Sequence, residues 1–208
     1  MATRLIDVGL IRCILEDLVL RIRESSECQA VAIRLNKESD YPYYSQIGFP
    51  KSFIQKENLL NLIDKEGNIV LAVDGTPIVE CMCGNVLKSR VNPQYPYFTK
   101  EGAFWTNSTT QLLQGLTEKE RQEVGRTRNT CHDYGYESVA LIPIHAENKI
   151  IGLIQINDSC EDMFTLDKIK EYQSLADSLG TLVINVLKFY EEVGQIGNTS
   201  SDNYNVKK

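Results

Sequence analysis

The sequence predicts an α+β layer fold: a central antiparallel sheet with the terminal helices on one face and a long middle segment on the other, where it forms a ligand pocket. Three observations carry this expectation. Apolar stripes at helical spacing open and close the chain. Two β-rich runs between residues 138 and 157 flank a short polar turn. Strands and helices do not alternate strictly, as they would in a parallel, doubly wound sheet. At 208 residues the chain is long enough to bury one substantial core.

The elements follow in order. Leu5 to Ile22 reads as a helix, with Leu5, Val8, Ile11, Leu15, Leu18 and Ile22 at three- and four-residue steps. Ile6, Leu10, Cys13, Ile14 and Leu20 add apolar surface on its other faces. Such a helix needs a second partner beyond the sheet, such as a helix from a second copy. Ala30–Leu35 is a short strand, and Tyr41–Gly48 is its hairpin partner, placed at an edge by Pro42. Asp74-Gly75 marks a tight turn in a small hairpin of Ile69–Val73 with Thr76–Val79. The aromatic stretch Phe98–Asn107 holds a strand around Ala103–Trp105. Thr117 and Glu120 have capping-box spacing, starting a polar helix from Glu118 to about Arg126. Ser138–Ile144 and Lys149–Asn157 form the clearest hairpin, joined by His145-Ala146-Glu147-Asn148. Thr165 caps a last helix striped by Leu166, Ile169, Tyr172, Leu175, Leu179, Leu182, Val186 and Tyr190. Beyond Gly194 the chain turns polar. Residues 1–194 are therefore expected to form one domain and 195–208 a disordered tail.

Composition excludes several function classes. The net charge is −6 and no basic block stands out, which argues against a nucleic-acid surface. No apolar run approaches the roughly 20 residues that cross a bilayer. Met1 to Arg12 lacks the pattern of a signal peptide, and six cysteines are too sparse for a disulfide-built scaffold. The expected location is the cytoplasm, with the thiols reduced unless they bind metal or meet an oxidant.

The cysteines carry the most pointed chemistry. Cys81 and Cys83 form a Cys-x-Cys, and Cys131 sits beside His132 ahead of the strong hairpin. Thiolate and imidazole are ligands for zinc, iron–sulfur clusters and haem iron, and thiols are the atoms of a redox switch. Zinc or a cluster requires four ligands, so His132 would have to join the three thiols. Haem requires only one or two and stands first among the cofactors. A disulfide between Cys131 and Cys81 or Cys83 needs no metal. The competing account is packing, since free cysteine behaves as a small hydrophobe; Cys13 and Cys28 read as packing residues. Phe104, Trp105 and Tyr136, with Thr106, Asn107, Ser108 and Thr109 beside them, compose a ligand pocket of apolar walls and a few polar groups. The alternative is that the aromatics are core and the hydroxyls cap a helix starting near Gln111. Arg126 and Arg128 read as an anion or Glu137 site, or as an exposed basic helix end. No phosphate loop, nucleophile elbow or His-Glu-x-x-His is present, and the chain reads as a non-enzyme.

Six segments together resemble the GAF domain, a small-molecule sensory module. They are Asp40–Tyr44 with Gly48–Pro50, Glu80–Val86, Phe98–Thr109, Arg126–Cys131, Gly135–Ile144 and Ile151–Asn157. The Cys-x-Cys, the Phe-Trp-Thr-Asn-Ser-Thr run and the Arg-Asn-x-Cys element are similar to a cysteine-containing subgroup found with PAS domains and sensor histidine kinases. The resemblance covers Leu5 to Tyr190. It implies the layered fold above and a signalling role in sensing redox state or a small ligand. It also implies a partner such as a sensor histidine kinase, and a homodimer through the first and last helices. A cofactor-free dimerisation module and a thiol-dependent methionine-sulfoxide reductase are the alternatives that GAF folds bring with them.

Overall fold

The computed structural model describes residues 9–202. Twelve elements follow in chain order among them: α1 (Gly9–Ser26), β1 (Ala30–Leu35), β2 (Tyr43–Ile47), α2 (Lys51–Glu57), α3 (Cys81–Leu87), β3 (Phe104–Thr106), α4 (Thr109–Gly115), α5 (Glu118–Val124), α6 (Thr130–Asp133), β4 (Ser138–Ala146), β5 (Lys149–Asp158) and α7 (Leu166–Asp202). The strands make one antiparallel sheet in the order β2-β1-β5-β4-β3. This is the α+β sheet expected from the sequence, with β2 at one edge.

Alternation along the strands separates two cores. Val31, Ile33 and Leu35 of β1, Ala140, Ile142 and Ile144 of β4, and Ile154 and Ile156 of β5 face α1 and α7. Those helices bury Ile11, Leu15, Val19 and Ile22 on α1, and Ile169, Tyr172, Ala176, Leu179 and Val183 on α7. Gly180 lets α7 approach β4 closely, since a Cβ there would collide with the His145 carbonyl. On the other face Ala32, Leu141 and Leu153 meet the middle of the chain, including an aromatic group of Phe49, Phe53 and Tyr136. Phe49 and Phe53 stack at 4.8 Å between ring centroids, and Tyr136 packs edge-on to both.

Several local expectations need correction. Cys13 is exposed on α1, whereas Cys28 is buried. Val19 takes a core place that the stripe through Leu18 had not included. Leu5, Ile6, Val8 and the side chains of Leu10 and Tyr190 lie outside the described residues. Leu166 and Leu182 of the last helix are exposed. The β4–β5 turn is only Glu147-Asn148, because the strands reach Ala146 and Lys149.

The Asp74-Gly75 turn forms, with Gly75 at φ +79° and the Asp74 carboxylate accepting from the Thr76 N–H and hydroxyl. It does not lead a regular hairpin. Leu62 N–H donates to Ile78 O, Ile78 N–H to Val70 O, and Val70 N–H to Leu62 O. Three short stretches thus close a ring instead of forming a two-stranded ladder. Helices α2, α3 and α6 are additions to the expected order. Each is at most seven residues long, too short to show a helical stripe in sequence.

Candidate functional site

The site is built on the sheet face opposite α1 and α7. Phe104 of β3, with Val139 and Leu141 of β4, forms its floor. Cys81, Met82 and Cys83 of α3 form one wall, and Thr109, Leu112 and Leu113 of α4 another. Thr130, Cys131 and His132 of α6 close it together with Thr127 and Asn129. The cavity, open on one side, measures about 80 Å³. Leu113, Leu116 and Thr127, all partly exposed, mark its mouth.

The local chain explains why α3 and α6 meet there. Cys81 starts α3 at φ +68°, a left-handed conformation unfavourable for a residue with a Cβ. Its N–H donates to Arg126 O, and the Gly84 N–H donates to Glu80 O. Gly84 lets α3 sit against the chain before it, since a Cβ would come within 2.5 Å of Val79 O. Asn129, at φ +53°, turns the loop 125–129 into α6. Arg126 and Arg128 fasten that loop to Glu80, at 2.7 and 3.0 Å. Arg128 also donates to Leu59 O and Asn61 O. The two arginines therefore bind the buried Glu80 and not Glu137 or an anion in the cavity.

Cys81, Cys83, Cys131 and His132 are thus brought to one cavity, and the helical turn of α6 lets the adjacent Cys131 and His132 both reach it. Burial pushes all three thiols up. Cys83 is raised well above its ordinary value, with the nearby Arg34 opposing in part, and Cys131 is pushed up to about 12, with Cys81 adding to the effect. Cys81 is raised as well, against the pull of the Arg128 N–H. At neutral pH these groups are neutral thiols. The Gln155 amide donates to Cys131 Sγ at 3.7 Å and to Asn157 Oδ1 at 3.2 Å, and Tyr43 donates to Gln155 Oε1 at 2.9 Å. Behind them lies Arg34, fully buried. It donates to the carbonyls of Tyr41, Asn58 and Glu57 and lies 3.5 Å over the Tyr43 ring.

The cofactor expectations meet this geometry poorly. No group of three or more His, Cys, Asp or Glu able to hold a metal ion occurs among the described residues. This does not fit the four-ligand sites of zinc or an iron–sulfur cluster. Since one water needs about 10–15 Å³, a cavity of about 80 Å³ holds a molecule of a few heavy atoms. His132 Nδ1 lies 3.2 Å from Thr109 Oγ1 and 3.5 Å from Thr110 Oγ1.

The expected aromatic pocket is divided. Phe104 and Thr109 line the cavity, but Trp105, the next residue on the strand, points to the other face and packs against the α1–α7 core. Tyr136 belongs to the aromatic group with Phe49 and Phe53, outside the cavity wall. Trp105, Thr106, Asn107 and Ser108 border a wider surface depression of about 520 Å³. The three polar side chains are already engaged. Thr106 donates to Ser108 O, and Asn107 exchanges hydrogen bonds with both the N–H and the carbonyl of Phe164. Ser108 Oγ caps α4 by accepting from Gln111 N–H and donates to Glu137 at 2.9 Å. The capping alternative therefore describes Ser108, with α4 starting at Thr109, two residues before Gln111. Sequence reasoning passed over Met82, Leu112, Leu113 and Thr130, whose placement depends on α3, α4 and α6.

No protein-family model matches this chain, and no curated protein does. Solved structures do. The GAF domain from a phosphoenolpyruvate-protein phosphotransferase of Coxiella burnetii is 14% identical, with a TM-score of 0.58 over 87% of this chain and 86% of that one. The PixJ GAF domain of Thermosynechococcus elongatus, in its blue-light absorbing form, is 12% identical with a TM-score of 0.57, covering 92% of this chain and 95% of that one. A type II free methionine-R-sulfoxide reductase from Thermoplasma acidophilum is 11% identical with a TM-score of 0.54, covering 85% and 94%. At such identities the likeness concerns the fold: the chain has the fold of a GAF domain.

Proposed function

We propose that this chain is a non-enzymatic sensory domain that binds a small molecule in the cavity between β3–β4 and helices α3, α4 and α6. The observation that carries the reading is the cavity itself, a partly open site on the sheet face that α1 and α7 leave free, lined mostly by apolar side chains and thiols. Such a site suits binding, since ligand pockets are mostly apolar with a few placed polar groups. The terminal helices supply the output. Leu20 of α1 and Leu182 of α7 are exposed, and a second copy would cover them. A signalling partner, such as a sensor histidine kinase or a phosphotransferase protein, completes the reading.

The three thiols favour a second reading, direct redox sensing or thiol chemistry of the methionine-sulfoxide reductase kind. It is the weaker one, because thiol–disulfide exchange starts from a thiolate and burial holds these thiols protonated.

The test is a small-molecule screen by 1H–15N NMR on the full chain, repeated on Leu113→Trp, which places a bulky ring at the mouth. The expected result is saturable shifts of the Leu112, Thr130 and Leu141 amides with some compounds, lost in the variant. Hits that bind both proteins alike would place the ligand elsewhere.

A further inference from the structure

We propose that His132 Nε2 is the hydrogen-bond acceptor of the cavity, and that the cavity takes a small organic molecule carrying an O–H or N–H donor. This rests on the ligand-binding reading above and adds the polar anchor and the chemical class of the ligand.

The hydrogen bonds around the imidazole fix which ring nitrogen carries the hydrogen. His132 lines the cavity from α6, beside Thr109 of α4. Its Nδ1 is within reach of the hydroxyl oxygens of Thr109, at 3.2 Å, and of Thr110, at 3.5 Å. A hydroxyl has one hydrogen to give. That of Thr109 goes to Tyr136 O at 2.8 Å, and that of Thr110 goes to Glu137 Oε1 at 2.7 Å. Both hydroxyls therefore present only lone pairs to the ring. Nδ1 carries the hydrogen and donates it to Thr109 Oγ1. In the neutral imidazole the bare lone pair then lies on Nε2, since the partner of one ring nitrogen sets the state of the other.

Nε2 is left open. No hydrogen bond or ion pair engages it among the described residues, and it is not one of the unpaired polar atoms sealed from solvent. His132 is half-buried, with its Nδ1 side held against α4, so Nε2 is the polar atom that the ring can still offer. The other polar groups of the wall offer a donor less. Thr109 Oγ1 already accepts from Nδ1. Thr127 is turned to Asn129 Oδ1, and Thr130 Oγ1 is buried out of reach. The thiols are neutral, and a thiol sulfur is a weak acceptor. A ligand donor placed on Nε2 gains a strong acceptor while its apolar body packs on Met82, Leu112 and Leu141. A molecule of the same size without a donor gains the packing alone.

The test uses two isomers of one formula: n-butanol, which has an O–H, and methyl propyl ether, which has none. Each is titrated into the full chain and followed by the amide shifts of Leu112, Thr130 and Leu141. The alcohol is expected to bind more tightly. In His132→Phe, which keeps a ring and loses both nitrogens, the ratio of alcohol to ether affinity should fall about tenfold, the scale of one hydrogen bond. The ring itself is read without any variant, by long-range 1H–15N correlation of the imidazoles. The chain has only two histidines, and His145 sits apart, beside Asp177 of α7. The neutral His132 ring should carry its hydrogen on Nδ1, and the alcohol should move the Nε2 resonance well beyond that of Nδ1. A hydrogen on Nε2 in the neutral ring would overturn the acceptor assignment. An unchanged affinity ratio in His132→Phe would overturn the anchor, and equal affinities of the two isomers for the native chain would overturn the ligand class. If neither isomer binds while the wider screen yields a cavity ligand, the Nε2 resonance decides: a shift with that ligand supports the anchor, and no shift overturns it while the sensory reading stands. If nothing binds in the cavity, both fall.

Discussion

Arg34 and Phe104-Trp105 show how single residues decide this site. In AVAIRL the arginine sits on the strand face opposite Ile33 and Leu35, a pattern that reads as solvent-facing. It is instead fully buried, because α2 and the turn before β2 bring three backbone carbonyls to it. Nothing in the local sequence announces those carbonyls. Trp105 is the opposite case: once Phe104 is known to face the cavity, strand alternation sends Trp105 away from it. The cysteines were conspicuous in the sequence, but their protonation was not, since it follows from burial that only the assembled layers produce. Thiol reactivity reads this out. In the native protein Ellman's reagent should modify the exposed Cys13 and Cys160 promptly, the half-buried Cys81 and Cys131 more slowly, and the buried Cys28 and Cys83 only on unfolding. Rapid native modification of Cys81 or Cys131 would instead support thiol chemistry at the cavity.

At the scale of elements, signals held within a few residues were legible and signals made by distant partners were not. The capping box of Thr117 and Glu120 forms, with both reciprocal hydrogen bonds. The Lys168 N–H donates to Thr165 Oγ1, as the start of the last helix requires. Helix α4 is different, because its start depends on Glu137, 29 residues beyond Ser108. The Glu137 carboxylate accepts from the Thr110 hydroxyl at 2.7 Å, from the Thr110 N–H at 3.0 Å and from Ser108 Oγ. These donors, the Thr110 hydroxyl foremost, hold Glu137 below its ordinary value of 4.5. A carboxylate depressed on folding adds stability above its unfolded value and loses it as pH falls through the folded value. Urea unfolding should therefore show stability decreasing as pH drops below about 4.5, with a smaller decrease in Glu137→Gln. Ser108→Ala should cost about 1 kcal/mol at pH 7 through the lost cap. A wild-type acid dependence in Glu137→Gln would show that Glu137 does not hold the start of α4.

For the whole molecule, the layer order was legible because it rests on long periodic runs: the outer helices and the 138–157 hairpin. The interior of the middle segment was not, since α2, α3 and α6 owe their existence to packing on the sheet. That segment builds the cavity, so the cavity's lining was the least accessible part. The architecture also suggests how occupancy reaches the helices. On β4, Leu141 lines the cavity while Ile142 and Ile144 pack toward α7, and Gly180 sets α7 directly on the His145 carbonyl. A ligand that shifts β4 has a packed route to α7, on whose exposed side Leu182 lies. No helix among the described residues is long and apolar enough to cross a membrane.

The central claim, a small-molecule sensor that reports through its terminal helices, is tested most directly by sedimentation equilibrium of the full chain with and without a saturating cavity ligand. The account predicts a dimer at tens of micromolar, on the order of ordinary weak-dimer concentrations. It further predicts a dissociation constant that changes by about fivefold or more when the cavity is filled, the lower end of common coupling between sites. A monomer at that concentration, or a dimer whose dissociation constant is the same with the cavity full and empty, would contradict it.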